Sequence, residues 1–166
     1  GFLFAGSNNN NNNNKPKAVL IKSPTGTGKT LAYLLPLLTR VDYKRSQTQA
    51  VIIVPTANLV TQITSIIRGL LRTNNTTTTT TNNNTTTTHT HTKYNVMALT
   101  SKEVAKQRRG WLLSDPPCII VCTASSIERV VKSEGGEWAG KVTTVVVDEV
   151  DEVERGGKAL NVVLGR

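Results

Sequence analysis

Ala18-Val19-Leu20-Ile21-Lys22-Ser23-Pro24-Thr25-Gly26-Thr27-Gly28-Lys29-Thr30 runs from an aliphatic stretch through a glycine-bearing turn into a segment with helical spacing. A short aliphatic run that ends on turn residues reads as a strand. Gly26 and Gly28 then fall where backbone amides must come close to phosphate oxygens, an approach that side chains would block. A helix beginning near Lys29 aims the positive end of its dipole at the same place. Lys29 can reach the β and γ phosphates as a point charge, while the Thr30 hydroxyl can ligate Mg²⁺. Ser23, Thr25, Gly26, Thr27, Gly28, Lys29 and Thr30 are the candidate nucleotide-binding residues, with Lys29 also a catalytic candidate. The usual form of such a loop opens on glycine, and Ser23 takes that place here; the bland alternative is a glycine-rich turn that merely caps a helix.

A second segment supplies what the loop lacks. Residues 143–147 form an aliphatic run that ends in Asp148-Glu149-Val150-Asp151. If the run is a buried strand, two carboxylates stand at its carboxyl end, where open α/β sheets bind their ligands. Asp148 is expected to hold Mg²⁺ through a water, and Glu149 to orient and deprotonate an attacking water. The alternative is an acidic first helical turn, to which Asp151, Glu152 and Glu154 partly belong.

Outward from these segments the pattern alternates. Apolar runs at 18–21, 50–54, 96–99, 119–122 and 142–147 are each followed by a helix-like stretch, giving five βα units. Their continuous apolar character predicts strands covered on both faces of a parallel sheet. Thr100 and Glu103 offer a capping box before a helix over 104–113, and Pro116-Pro117 separates it from the next strand. Cys118 and Cys122 would point to one face of their strand, too far apart to bond each other, as reduced, buried thiols.

Of 166 residues, 20 are Lys or Arg and 11 are Asp or Glu, a formal charge of +9. Five of those acidic residues lie between Asp148 and Glu154, so the remainder is more basic than the total, which favours a polyanionic partner. No apolar run approaches the roughly 20 residues that span a bilayer, so a soluble chain is expected. Residues 1–14 read as a stub that ends in the Asn run 8–14, and residues 15–166 as the domain. The Thr/Asn tract 73–92 reads as a disordered insertion, since neither tract can bury enough apolar surface to offset its ordering entropy. His89 and His91 within it lack nearby Cys, Asp or Glu and receive no metal role. The homopolymer tracts and basic surplus suggest an intracellular, nuclear or nucleolar setting.

Taken together, these segments resemble the first RecA-like domain of the DEAD-box RNA helicases of helicase superfamily 2. The loop is similar to the family's motif I, and Leu31-Ala32-Tyr33-Leu34-Leu35-Pro36-Leu37-Leu38 to its proline-bearing continuation. Pro55-Thr56-Ala57-Asn58-Leu59 with Gln62 resembles motif Ia, Thr123 opens what looks like motif Ib, and Asp148 to Asp151 resembles motif II with Val150 for the usual Ala. The resemblance implies a RecA-like P-loop fold, ATP and Mg²⁺ as cofactors, RNA contact at Pro55, Thr56 and Thr123, interdomain coupling through Asp151, and a role as the ATP-binding half of an RNA helicase.

The chain departs from the family at Ala57-Asn58, where Arg-Glu is usual, at Ala124-Ser125-Ser126, where Pro-Gly-Arg is usual, and near Ala98-Leu99, where a glycine pair is missing. Lost Arg and Gly residues remove charge-assisted bonds and close approach to a nucleic-acid backbone. Lys102, Lys106, Arg108 and Arg109 offer positive charge nearby but read as a solvated helix face. The adenine-reading Q motif is not visible before residue 15, while motif III and a second RecA-like domain would follow residue 166. Two other readings stay open at this point: a degenerate scaffold that binds nucleotide or RNA without turnover, and a DNA helicase or translocase of the same superfamily.

Overall fold

Five apolar runs do form strands, and a sixth strand joins them where none is expected. The computed structural model describes residues 2–6, 17–22, 24, 26–73, 76–81, 84–89, 96–101, 104, 106, 109–134 and 140–155. In chain order these contain β1 (Phe2–Gly6), β2 (Lys17–Ile21), α1 (Lys29–Arg40), β3 (Ala50–Val54), α2 (Ala57–Thr73), β4 (Thr76–Thr81), β5 (Asn84–His89) and β6 (Val96–Leu99). There follow α3 (Arg109–Ser114), β7 (Ile119–Thr123), α4 (Ala124–Glu134), β8 (Thr144–Asp148) and α5 (Val150–Arg155).

The main sheet has the order β2-β1-β8-β3-β7-β6. β8, β3, β7 and β6 are mutually parallel neighbours, the α/β arrangement expected of a RecA-like fold. β1 is antiparallel to both β2 and β8, so β2 points the same way as the other four. Phe2–Gly6 therefore stands inside the sheet. The Phe-Leu-Phe run is rich in strand-forming aromatic residues, and that was the signal for it. The Asn run 8–14 lies outside the described residues.

β1 also fixes the spacing that matters. Phe2 is level with Ile21 of β2 and with Asp148 of β8. The strand that leads into the phosphate loop and the strand that ends in the acid pair thus finish at one edge of the sheet, two strand spacings apart, or roughly 10 Å.

The core lies on both faces. On one, Tyr33, Leu34 and Leu37 of α1 and Val60, Ile63, Ile67 and Leu71 of α2 pack on Ala50, Ile52, Val54, Val121 and Val146. On the other, Leu112 of α3, Ile127 and Val130 of α4 and Val153 of α5 pack on Val51, Ile53, Ile120, Cys122 and Val147. The alternation along β3 sends successive residues to opposite clusters, which is why its run had to be apolar throughout. β2 departs from that rule: Val19 and Leu20 are exposed, because β2 is the outermost strand of the sheet and borders only β1.

Three local features bear on the sequence reading. Ser101 Oγ accepts from the Val104 N–H at 3.3 Å, and Glu103, the partner expected for Thr100, lies outside the described residues. Cys118 and Cys122 are buried and free as expected, but they join opposite clusters. Cys118 sits one residue before β7 begins, so strand alternation does not govern it. Within the Thr/Asn tract, β4 and β5 pair as a hairpin from Thr76↔His89 to Thr81↔Asn84, in a two-stranded sheet separate from the main one. Thr is β-branched and favours extended backbone, though a lone two-stranded hairpin is marginal in water.

Candidate nucleotide site

The loop's backbone explains its glycines. Gly26 has φ of 79° and Gly28 of 81°, both in the left-handed region that residues with a Cβ enter at a cost. Among the described residues, and apart from its chain neighbours, a Cβ added at either would meet nothing within 4 Å. Gly28 is the N-cap of α1, and its carbonyl accepts the first helical bond from Ala32 at 3.0 Å. Left-handed residues of this kind turn backbone N–H groups into an anion-binding concavity. The Pro24 carbonyl accepts from the Thr27 hydroxyl at 2.8 Å and from Lys29 Nζ at 3.1 Å, which folds the loop over the start of α1. Ser23 and Thr25 lie outside the described residues.

The acid pair sits opposite. Asp148 is buried, 9% exposed, at the last position of β8. Its Oδ1 accepts from the Glu149 N–H and its Oδ2 from the Tyr33 hydroxyl, each at 3.0 Å. An ionised carboxylate offers about four acceptor positions, so two further ones remain on Asp148 for a metal or its waters. Glu149 has φ of 53°, the one non-glycine residue with positive φ among those described, and its carbonyl accepts from Glu152 and Val153 as α5 begins. Left-handed conformations of non-glycine residues gather at functional sites, where surrounding structure holds them.

The charges around Glu149 set its proton affinity. The Glu149 carboxyl is held above its usual range by partial burial first, then by Glu152, Asp148 and Asp151, while the Lys29 ammonium pulls it the other way. A raised value makes the carboxylate a stronger base for proton abstraction from water. It also carries a cost: the folded chain binds this proton more tightly than the unfolded chain, so stability falls as pH rises from the ordinary carboxylate range through the raised value. Without metal, Glu149→Gln should therefore be more stable than the parent chain at neutral pH. The gap should close on acidification below that range; melting curves at several pH values check the trend, and a gap that widens in acid contradicts it.

The other expected residues occupy the same edge of the sheet. Pro55 and Thr56 follow β3, where the Thr56 hydroxyl accepts from the Leu59 N–H at 3.3 Å and caps α2. Thr123 ends β7, but its hydroxyl is 2.7 Å from Ser126 Oγ and buried, so it braces α4 and is not offered to solvent. Asp151 is exposed in the first turn of α5. Lys106 is exposed, Lys102 and Arg108 lie outside the described residues, and no side-chain position is described for Arg109. Among the described residues no group of three or more His, Cys, Asp or Glu could hold a metal. Mg²⁺ characteristically binds through one or two protein oxygens plus phosphates and waters, and Thr30 and Asp148 are oxygen donors of that kind.

Tyr33 is the residue that sequence reasoning passed over as part of an aliphatic helix. It stands one helical turn after Thr30 and Lys29, the spacing that puts residues on one face. That spacing was the signal available.

Comparison with known proteins shows the family of the sequence. The DEAD/DEAH box helicase family pattern covers residues 10–164, nearly the whole chain, and the chain belongs to that family. It is 30% identical to DEAD-box ATP-dependent RNA helicase 58, chloroplastic, of Oryza sativa subsp. japonica over 142 residues, 86% of this chain and 28% of that protein. The corresponding Arabidopsis thaliana protein is 32% identical over 132 residues, covering 80% of this chain and 25% of the relative. A probable ATP-dependent RNA helicase, YfmL of Bacillus subtilis, is 32% identical over 137 residues, covering 82% and 31%. The chain thus spans between a quarter and a third of the length of these relatives.

Proposed function

We propose that the chain is the ATP-binding half of an ATP-dependent RNA helicase, holding Mg²⁺-ATP between the 23–30 loop and the end of β8. The observation that supports this reading is the register of β1, which sets the end of β2 ahead of the loop level with Asp148 of β8 at one edge of the sheet, where Tyr33 of α1 bonds Asp148. In this reading, backbone N–H groups around Gly26 and Gly28 cradle the phosphates and Lys29 leaves Pro24 to pair with the β and γ oxygens. Thr30 and Asp148 would hold Mg²⁺, which neutralises charge on the phosphates when bound. Glu149 orients the attacking water and takes its proton.

RNA is the proposed partner, supported by the names of the relatives and by the basic surplus outside the acidic motif. Thr56 is exposed at the same edge and is the strongest candidate for phosphate contact. The missing Arg and Gly residues in the segments after β3 and β7 predict a grip weaker than the family's. Asp151 is proposed to couple to a second RecA-like domain of the parent. In related NTPases an arginine supplied from outside the phosphate site is worth on the order of 10³-fold or more in rate, so this domain alone should bind nucleotide and turn it over slowly. A nuclear or nucleolar setting belongs to the same proposal and rests on charge and composition.

The test is ATP turnover by the full-length parent with and without RNA or DNA. RNA should raise the rate severalfold and DNA much less, and Glu149→Gln should abolish turnover. Turnover that is indifferent to RNA, or driven better by DNA, contradicts the proposal.

A further inference from the structure

We infer that Tyr33 is a positioning residue for the metal side of this site, with its hydroxyl holding the Asp148 carboxylate. The inference rests on the nucleotide reading above. Tyr33 is 1% exposed on α1, and its hydroxyl donates to Asp148 Oδ2 at 3.0 Å, across 115 positions of sequence. Thr30 stands one helical turn before Tyr33 on α1, and its side chain opposes the rise in the phenol's pKa. A tyrosine hydroxyl has one hydrogen to give, and here it goes to the carboxylate. Burial first, then the charge of Asp148, keep that hydroxyl protonated.

Packing alone does not call for the hydroxyl. The ring lies in the cluster with Leu34, Leu37 and Val146, which Phe would fill as well, and an added O–H at this depth needs a partner. The partner it has is a carboxylate at the ligand-binding edge. The side-chain torsion that turns a carboxylate is broad, so Asp148 needs fixed donors to present a defined pair of lone pairs. The Glu149 N–H fixes one oxygen and Tyr33 the other. Because Tyr33 sits on α1, the helix that follows the phosphate loop, and Asp148 on β8, one hydrogen bond ties the metal-facing carboxylate to the other half of the site. Donors behind metal ligands typically matter by 10–100-fold in metal affinity.

The experiment is a titration of the chain with fluorescently labelled ATP, in EDTA and over a range of Mg²⁺ concentrations, for the parent chain and Tyr33→Phe. Tyr33→Phe should bind nucleotide in EDTA within about twofold of the parent and need about tenfold more Mg²⁺ for half-maximal enhancement. The difference should vanish when Asp148→Asn is present in both. Incorporation of 4-aminophenylalanine at position 33, which keeps a donor of similar reach, should restore the Mg²⁺ response and serves also if Tyr33→Phe melts below assay temperature. An unchanged Mg²⁺ requirement in Tyr33→Phe overturns the inference and leaves the nucleotide site standing; a lowered requirement overturns it as well, showing that the phenol competes with the metal. A parent chain whose binding ignores Mg²⁺ overturns the nucleotide reading itself, and the inference with it.

Discussion

Lys29→Ala should weaken Mg²⁺-ATP binding by roughly 10²-fold or more. The ammonium stands at the start of α1, bonded to the Pro24 carbonyl of the loop, and it lowers the proton affinity of Glu149. Two charge-assisted bonds to phosphate oxygens, each worth about 1.5–3 kcal/mol, account for that factor at 1.4 kcal/mol per decade. The loss should appear in titration calorimetry with little change in melting temperature, because the bond to Pro24 is exposed and contributes little to stability. Unchanged nucleotide affinity in this variant would remove the loop from the site.

Ile52→Ala should produce the largest loss of stability. Ile52 is fully buried at the middle of β3, flanked by Val121 of β7 and Val146 of β8, and it faces the cluster built by α1 and α2. Truncating a buried Ile to Ala costs about 2–5 kcal/mol, through lost transfer energy plus the cavity left behind. Set against a typical domain stability of about 5–15 kcal/mol, that is a large share. The urea midpoint should fall with the slope unchanged. A cost under about 1 kcal/mol would mean that β3 is not the centre of the sheet.

The elements that carry the site were legible because two physical demands coincide in them. Strands β3 and β7 must be apolar at every position, since both faces are covered, and in the proposed nucleotide site the residues after β2 and β8 must satisfy a phosphate and a cation. Ala50–Val54 and Gly26-Thr27-Gly28-Lys29 show those demands residue by residue. What escaped reading depends on tertiary placement. Phe2–Gly6 is too short to declare a strand without knowing that a gap between β2 and β8 accepts it. Cys118 breaks the face pattern because it precedes its strand by one residue. Nor do the letters Thr123 reveal that its hydroxyl turns inward to Ser126. Tyr33 reads as one more apolar helix residue until Asp148, far along the chain, is brought beneath its hydroxyl.

The most direct measurement is a crystal structure of the chain with ATP and Mn²⁺, with the metal located by its anomalous signal. The account predicts one metal peak between the Thr30 hydroxyl and the Asp148 carboxylate, touching the β and γ phosphates held by the loop. Nucleotide bound away from Gly26, Gly28 and Lys29, or a metal remote from Asp148, would contradict it.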